Sequence, residues 1–360
     1  MTPATRPIEK ARLEGLDIAR FLAFAGMLIV NFHVVMEAEY QGWAGMIAHA
    51  LEGRAAALFV VLAGVGTGLF AAKMTYDTLV GVMFRRAIFL FVLGMANAVI
   101  FPADILHYYA FYFLLAIPFL KASAPVLCLT IVGVLLGFMA LVFSLNYDAG
   151  WDWSTLEYTG FWTLSGFVRS TFFNGWHPAI PWFAFLVFGM LLERLQLRSR
   201  KVQIQLALIG FVAAIVLHFE SAAAVRMSEA IDGELSYLFM LQPIPPGPFY
   251  MLSGMASAAS IIGICLLFEP VMQRAKVAGS LAKPGRLALT LYVAHIYLGL
   301  VFADQFFADR SASSLQALLL ASAFCIATMG VAEFWTRVFK HGPLESAMRR
   351  LSGTVSTKPA

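Results

Sequence analysis

Residues 124–145 read APVLCLTIVGVLLGFMALVFSL, a stretch that contains no Asp, Glu, Lys, Arg or His. As a helix, a run of this length reaches about 30 Å, which is the thickness of the hydrocarbon core of a bilayer. Similar apolar runs recur along the 360 residues, of which 60% are hydrophobic and only 13% are charged. Because lipid accepts only helices or closed barrels, the sequence predicts an all-α polytopic membrane bundle.

The apolar runs predict about ten membrane-spanning helices. They lie at about residues 16–36, 55–72, 86–101, 105–120, 124–145, 178–193, 202–219, 249–268, 286–304 and 315–336. We find no internal repeat and no composition shift that marks a soluble domain. Residues 1–360 are therefore expected to form a single membrane domain, with tails at 1–15 and 340–360.

The basic residues alternate between connecting segments. Segments 1–15, 72–86, 121, 193–201, 270–286 and 336–360 hold 20 of the 25 Lys and Arg residues. By the positive-inside rule these segments are cytoplasmic, and so are both termini. We expect a bacterial cytoplasmic (inner) membrane protein whose partner is membrane lipid. The net charge of +4 then reflects topology, and no basic stripe predicts nucleic-acid binding.

The three cysteines, Cys128, Cys265 and Cys325, all fall inside predicted spans. Their spacing fits neither a disulfide framework nor a zinc site, and no HxxxH or HExxH motif occurs. No metal is expected, although a site assembled across helices remains an alternative.

Five histidines are predicted at or near the outer ends of the spans: His33, His49, His107, His177 and His218. Ionisable groups in or near a membrane span are costly and mark function by default, and histidine is the usual general base near neutral pH. A single one of them is explained as well by a hydrogen-bonded interface histidine. Five on one side favour a shared site.

The first predicted span carries polar residues at both ends. Asp17 and Arg20 are three positions apart and share a face at its cytoplasmic end, whereas Asn31 and His33 lie about three turns further out. One helix could thus bind an anionic ligand inside and present polar groups outside. The alternative for Arg20 is an anchor that extends its charge to the interface.

Three further motifs stand out. Arg54 is one of only four basic residues in the predicted external segments, and Gly64 and Gly68 behind it form a GxxxG motif that lets helices approach closely. Asp104 and His107 are three positions apart, which suits a base and its carboxylate, although Asp104 could equally cap a helix.

The third motif, His177-Pro-Ala-Ile-Pro-Trp182, begins a predicted span and points His177 towards an external vestibule. Tyr292 and His295 in the ninth span join Arg54, His177 and Trp182 as candidate substrate contacts.

Several of these motifs carry a family resemblance. They are Arg20-x10-Asn31, Arg54…Phe59…Gly64, Asp104-Ile-Leu-x-Tyr108, Gly285-Arg286-x-Ala288-Leu289-Thr290-x-Tyr292 and Gly342-Pro343-Leu344-Glu345…Arg349. In this order they resemble the YeiB family (the DUF418 type). The His177–Trp182 motif resembles the heparan-α-glucosaminide N-acetyltransferase group (the DUF1624 type). Both belong to the transmembrane acyltransferase superfamily.

The resemblance implies transfer of an acyl group from cytoplasmic acetyl-CoA, or another acyl-CoA, to an acceptor on the far side. Asn31 matches a functional asparagine of the heparan enzymes. Two positions depart from the pattern: Phe21 replaces a glycine, and Gly42 stands where the catalytic histidine is expected. His49 or His33 must then supply the base.

The expected mechanism assigns Asn31 as oxyanion donor or orienter and Asp104 with His107 as a supporting pair. Arg20, Arg85 and Arg86, with Asp17, would meet the phosphates of the donor. The acceptor could be a glycan, a lipid or a small metabolite, and a homodimer is possible.

Two rival functions remain. A transporter or flippase would use the same polar residues to pass its substrate, although no inverted repeat or matched pair of broken helices supports it. A scaffold or sensor would leave the outer histidines unexplained.

Overall fold

The structure, a computed structural model, describes residues 12–231, 233–307 and 312–353. The ends of the two predicted tails and Arg310 lie outside these ranges. The α-helices are α1 Glu14–Val35, α2 Gly42–Leu51, α3 Arg54–Ala71, α4 Tyr76–Ala98, α5 Leu106–Ala116, α6 Ala124–Ser144, α7 Leu164–Arg169, α8 Ala179–Glu193, α9 Arg200–Ile231, α10 Pro248–Arg274, α11 Ala278–Arg286, α12 Ala288–Ala294, α13 Val301–Phe307, α14 Ser314–Val338 and α15 Pro343–Leu351.

Short elements complete the described chain. Two π-helical turns, Ser170–Asn174 and His295–Leu300, follow α7 and α12, and two 3-10 turns lie at Ile117–Phe119 and Gly233–Leu238. The strands β1 Trp151–Asp152 and β2 Glu157–Tyr158 pair antiparallel in a small hairpin. The fold is therefore helical, as predicted.

Eight candidate spans in the described part of the chain are long and apolar enough to cross a membrane, which makes this an integral membrane protein. They are Glu14–Val35, Gly42–Ala71, Tyr76–Ala98, Ala124–Ser144, Arg200–Ala230, Pro248–Arg274, Ala288–Phe307 and Ser314–Val338. A ninth span results if Leu164–Asn174 and Ala179–Glu193, which meet at a 45° bend, are counted as one. The remaining predicted span is the shorter apolar helix Leu106–Phe119, so the count of ten stays a prediction.

The segment between the first two predicted spans contains a further helix. Residues 42–51 form α2, which leads into α3. The sequence of α2 is apolar apart from His49, and this composition supports a helix at the bundle end. His49 therefore sits on a helix.

The helices differ in how much of their surface the protein covers. Burial reaches 56% for the span of α1, 67% for α2–α3 and 61% for α10, against 22% for α6, 11% for α9 and 22% for α14. The first group forms the centre of the bundle. The second presents apolar side chains such as Leu129, Phe211 and Phe334 outwards, where lipid would solvate them.

Two glycines let α3 and α8 pack closely. A Cβ atom added to Gly64 would lie 2.9 Å from the Cα of Gly189, and one added to Gly189 would lie equally near the Cα of Gly64. Gly68 packs against Glu193 one turn further along. The GxxxG expectation is thus confirmed: small residues let the two backbones approach, which strengthens dispersion contacts where lipid removes the hydrophobic driving force.

Acidic side chains close two helix starts at the end of the bundle where α1 begins, here called the basic end. The Glu269 carboxylate accepts hydrogen bonds from the backbone N–H groups of Glu14 (3.0 Å) and Gly15 (3.1 Å). The Glu345 carboxylate accepts from the N–H groups of Leu289 (2.8 Å) and Thr290 (3.0 Å). Each anion satisfies donors that a helix start leaves unpaired and faces the positive end of the helix dipole.

Candidate functional site

A small cavity of about 80 Å³, here called the inner cavity, lies near the end of the bundle opposite the basic end. Most of its wall is apolar, and the side chains in it that can form hydrogen bonds are Asn31, Glu52, Trp176, His177 and Tyr292. The volume exceeds the roughly 10–15 Å³ that one water requires. The cavity therefore has room for a small polar group among named hydrogen-bonding side chains.

A larger opening of about 640 Å³, the outer vestibule, adjoins the inner cavity. Its polar wall consists of His49, Glu52, Arg54, His218, Ser221 and Gln242. Glu52 and Pro243 line both spaces, so the two share a wall. A ligand in the vestibule thus lies next to the inner cavity.

The break between α2 and α3 forms this shared wall. Gly53 has φ +67°, in the left-handed region that favours glycine, and an added Cβ there would strike Pro243 and the Tyr250 ring. The Tyr250 hydroxyl donates to the Gly53 carbonyl oxygen over 3.0 Å. Glycine is therefore the residue that allows the turn and places Glu52 between the two spaces.

His49 and Glu52 form a pair in the vestibule. The Nδ1 atom of His49 lies 3.2 Å from a Glu52 carboxylate oxygen, and 60% of the His49 side chain is exposed. They are three positions apart on one helical turn, which explains why they meet. A carboxylate that binds one imidazole nitrogen orients the ring and leaves the other nitrogen free for a proton transfer.

His33, the other candidate base, has a different environment. It is 2% exposed, its Nε2 atom lies 3.2 Å from the Ser314 hydroxyl, and its ring stacks on Tyr40. It lines neither the inner cavity nor the vestibule. Of the two histidines, His49 is the one that the structure brings to a ligand-sized space.

Asn31 is held by a histidine from another helix. Its Nδ2 atom lies 3.0 Å from Nε2 of His295, which is fully buried. The Nδ1 atom of His295 contacts the backbone carbonyl oxygen of Tyr292, one turn earlier. His295 itself lines neither space, so the structure does not show the direct substrate contact that we expected for it.

A buried hydrogen-bond cluster surrounds Asp104. One carboxylate oxygen accepts from the Tyr292 hydroxyl and from Asn97 Nδ2, each over 3.0 Å, and the other accepts from the Leu106 N–H over 2.8 Å. Burial raises the pKa of Asp104 to about 7, although these three donors oppose the rise. The bond to Leu106 resembles the capping role that we kept as the alternative.

The expected pair of Asp104 and His107 is looser than predicted. His107 Nδ1 lies 4.0 Å from the nearer Asp104 oxygen, which is too long for a hydrogen bond. Both ring nitrogens of His107 are buried and lack a partner among the described residues. The Asp104 oxygens are already occupied by Tyr292, Asn97 and the Leu106 amide, which leaves His107 to pack on aromatic rings.

His177 and Trp182 pack on each other, but only one of them reaches a cavity. His177 lines the inner cavity and not the outer vestibule, whereas the sequence predicted an external vestibule for it. Trp182 is fully buried, lies outside both spaces, and packs its ring edge to face on His177 with 4.7 Å between centroids. The substrate contact expected for Trp182 stays a prediction, since the indole lies behind the histidine.

At the basic end, Asp17 is the centre of an ionic cluster. Arg12 donates to both of its oxygens (2.6 and 2.9 Å), Arg20 bonds to one of them, and Arg286 lies 3.4 Å away while also donating to Glu14 over 3.0 Å. The shared face of Asp17 and Arg20 is thus confirmed. Three cations and two carboxylates leave one positive charge, with Asp17 only 1% exposed.

The two adjacent arginines on α4 are less constrained. Arg85 is exposed and lies beside Gly353, whereas Arg86 sits over the Phe70 ring at 4.4 Å. Buried Nε of Arg86 has no hydrogen-bond partner among the described residues. These guanidinium groups fit an anion at the basic end better than Arg20, which Asp17 already holds.

Arg54 lies in the vestibule, as expected for a substrate contact. Its guanidinium makes one long hydrogen bond of 3.4 Å to the Ala50 carbonyl oxygen, which leaves most of its donors available. Together with Glu52 and the two histidines of the vestibule, it makes the wall rich in hydrogen-bonding groups. That composition suits a polar, hydroxyl- or amine-bearing ligand.

Sequence reasoning missed two residues of this site, Glu52 and Trp176, which line the inner cavity. The spacing His49-x-x-Glu52 would have indicated the first, because residues three apart meet on a helix. No local signal indicates that Trp176 would reach the cavity. His218, one of the five outer histidines expected to share a site, joins the vestibule from α9.

The structure defines an integral membrane protein whose helices form a mostly apolar inner cavity, lined by a few polar side chains, beside an open vestibule. Among protein families, the one described as heparan-alpha-glucosaminide N-acetyltransferase, catalytic, matches residues 12–221, more than half of the chain, and the chain belongs to it. The family of proteins of unknown function DUF418 matches residues 188–354. No curated protein matches the chain. Both suspected families are therefore confirmed, and the first indicates a membrane acetyltransferase.

Proposed function

We propose that this protein lies in a bacterial inner membrane and transfers an acetyl or other acyl group from cytoplasmic acyl-CoA. The acceptor, a hydroxyl or amine compound, binds in the outer vestibule. One observation carries the proposal. Glu52 lines both the inner cavity and the vestibule, and its carboxylate lies 3.2 Å from His49. Both residues belong to the region that matches the catalytic family. This arrangement puts an oriented base beside a small cavity that could hold an acyl group.

His49 is proposed as the general base and Glu52 as the group that orients it. The imidazole takes the proton from the acceptor hydroxyl or amine, whose oxygen or nitrogen bonds to the acyl carbonyl carbon. The carbon–sulfur bond of the thioester then breaks, and the departing thiolate receives the proton from His49. The products are the acylated acceptor and CoA with a free thiol, so atoms and protons balance.

The donor is proposed to bind through its phosphates at the basic end. Arg85 and Arg86 on α4 supply guanidinium groups that form no ion pair with a carboxylate within the described residues, while Arg20 and Asp17 set the charge around the start of α1. Guanidinium groups bind phosphate in a bidentate geometry, which favours arginine at such a site. The basic end would thus bind the acyl donor, and the histidine-rich end would bind the acceptor.

The acceptor is proposed to be a glycan, with a lipid or small metabolite as alternatives. The family name specifies a glucosaminide, whose amine and hydroxyls match the vestibule side chains Arg54, His218 and Gln242. The rest of the vestibule wall contains apolar residues, including Met46 and Val225, which could face the ring carbons of a sugar. A methyl α-glucosaminide is therefore the first acceptor to test.

The test is acetyl transfer by purified protein in proteoliposomes, with labelled acetyl-CoA and methyl α-glucosaminide, and mass spectrometry of the product. His49→Ala and Glu52→Gln are compared with His341→Ala, a histidine at the basic end that lines neither space. Loss of transfer by about 100-fold or more in His49→Ala is expected, the usual size of a general-base effect. His341→Ala should keep wild-type activity.

Three results would contradict the proposal. One is full activity in His49→Ala. Another is that none of the acyl-CoA donors tested releases CoA with any of several sugar, lipid or amine acceptors. The third is movement of unmodified substrate across the membrane without acylation, which would identify the transporter or flippase instead.

A further inference from the structure

The hydrogen bond between Asn31 and His295 determines which atoms of the two side chains donate and which accept. A backbone carbonyl oxygen can only accept a hydrogen bond, so the Nδ1 atom of His295 that contacts the Tyr292 carbonyl must carry the hydrogen. His295 begins the π-helical turn that follows α12, a backbone feature that often marks functional sites. The wider turn and the Tyr292 carbonyl together set the orientation of this ring.

The second ring nitrogen of His295 then determines how Asn31 is turned. The ring is fully buried, packs edge to face on Phe24, and contacts no carboxylate within the described residues, which favours the neutral imidazole. In that form Nε2 is an acceptor, and the Asn31 atom 3.0 Å away must be the amide nitrogen. The amide of Asn31 is therefore not free to rotate.

The carbonyl oxygen of Asn31 is the atom left for the inner cavity. Asn31 lines that cavity, and its Oδ1 atom makes no hydrogen bond within the described part of the chain. This oxygen is not fully buried and therefore retains accessible surface. Oδ1 can only accept a hydrogen bond, whereas the amide nitrogen, which keeps a second N–H, is held on the side of His295.

We infer that His295 is a positioning residue that turns the Asn31 amide so that its carbonyl oxygen accepts a hydrogen bond from the N–H or O–H group of the acceptor. This inference rests on the proposed acyl transfer. It replaces the expected oxyanion-donor role of Asn31 with alignment of the nucleophile. Alignment of this kind lowers the barrier through orientation, because the nucleophile is held near its line of attack.

The test is a double-mutant cycle measured on acetyl transfer to methyl α-glucosaminide. His295→Phe keeps a buried aromatic ring but removes the acceptor nitrogen, His295→Gln supplies an amide oxygen that can accept from Asn31, and Asn31→Ala removes the amide. We expect His295→Phe and Asn31→Ala each to lower kcat by about tenfold or more with an unchanged KM for acetyl-CoA. His295→Gln should retain several times the kcat of His295→Phe.

The double variant Asn31→Ala, His295→Phe should be no slower than Asn31→Ala alone, because both changes remove one function. Thr328→Val, which deletes a buried hydroxyl that donates to Cys325 far from both spaces, is the control for loss of a buried hydrogen bond and should keep its kcat. Thermal unfolding of each variant in detergent identifies any that fails to fold. If His295→Phe fails, the comparison of His295→Gln with wild type decides.

Additive losses in the double variant, or equal rates for His295→Phe and wild type, would overturn the positioning role while the wild type remains active. Wild-type protein that transfers no acyl group would instead overturn the proposed function, and this inference with it. The two failures are distinct because only the second abolishes activity before any substitution.

Discussion

The hydroxyl of Tyr292 on α12 donates to the Asp104 carboxylate over 3.0 Å, although 188 positions of sequence separate them. The same tyrosine lines the inner cavity and precedes His295 by one turn. Asp104 therefore holds the helix that positions Asn31. The buried cluster around this carboxylate connects the stability of the bundle with the geometry of the candidate site.

The first prediction concerns pH. Burial raises the pKa of Asp104 to about 7, so its folded-state pKa lies above the unfolded value of 3.8. A carboxyl shifted in this direction contributes stability that is present below the unfolded pKa and is lost as the pH rises through about 7. Between about pH 4 and pH 7 the thermal unfolding midpoint of the wild type should fall relative to that of Asp104→Asn, which lacks the titrating carboxyl group.

Asp152→Asn provides the control for this measurement, since Asp152 lies exposed in the β1–β2 hairpin. Its pH profile should follow that of the wild type. A pH profile of Asp104→Asn that runs parallel to the wild-type profile would refute the prediction.

The second prediction tests the cap on α12. The Glu345 carboxylate binds the N–H groups of Leu289 and Thr290, so Glu345→Ala leaves two donors unpaired at the start of the helix that carries Tyr292. We expect a loss of about 1–2 kcal/mol of unfolding free energy and a lower acetyl-transfer rate. Unfolding titration in mixed micelles and the transfer assay measure the two effects.

Glu333→Ala is the matched change, because Glu333 is partly exposed and pairs with Lys283 at the same end of the bundle. It should alter the unfolding free energy by less than about 1 kcal/mol. Equal effects of the two substitutions would mean that the cap has no special role.

The third prediction tests the close approach of α3 and α8. Gly189→Ala places a methyl group against α3 near Gly64, and overpacking of this kind costs about 1–3 kcal/mol. Gly133→Ala on α6 makes the same change where nothing lies within 4 Å. The unfolding midpoint should fall for the first variant only, and a similar fall for both would contradict the packing shown here.

The fourth prediction separates the arginines of the ionic cluster from their common partner. Asp17 is 1% exposed, and its removal leaves Arg20 with no carboxylate among its described partners, so Asp17→Ala should cost about 3 kcal/mol. Arg12 is 56% exposed, and Arg12→Ala should cost less than about 1 kcal/mol. Chemical unfolding in micelles compares the two, and a larger loss for Arg12→Ala would refute the central role of Asp17.

Much of the architecture follows from the sequence alone. Uncharged runs such as 124–145 require helices in lipid, and Gly64 with Gly68 indicates where backbones come close. The pairing of Asp17 with Arg20 was predictable too, because residues three apart on a helix share a face. The helical fold and this contact depend on local pattern and on the properties of the bilayer, which every segment experiences independently.

The candidate site was predicted only in part, because its residues meet across the bundle. Asn31 and His49 were chosen from sequence, but their roles depend on His295 and Glu52, the second of which the sequence analysis overlooked. Trp182 and His107 have the residue types of a site and yet are buried outside both spaces. Residue type indicates what chemistry a side chain can perform, whereas its neighbours decide whether it reaches a ligand.

Hydropathy and charge act residue by residue, so the amino-acid sequence is enough to predict a bundle of membrane helices with basic and histidine-rich ends. That Glu52 joins the inner cavity to the vestibule, and that His295 orients Asn31, follows from the folded arrangement. Those relationships arise from the packing of α1, α2 and the turn after α12. Packing depends on the shapes of many side chains at once, and no local pattern encodes it.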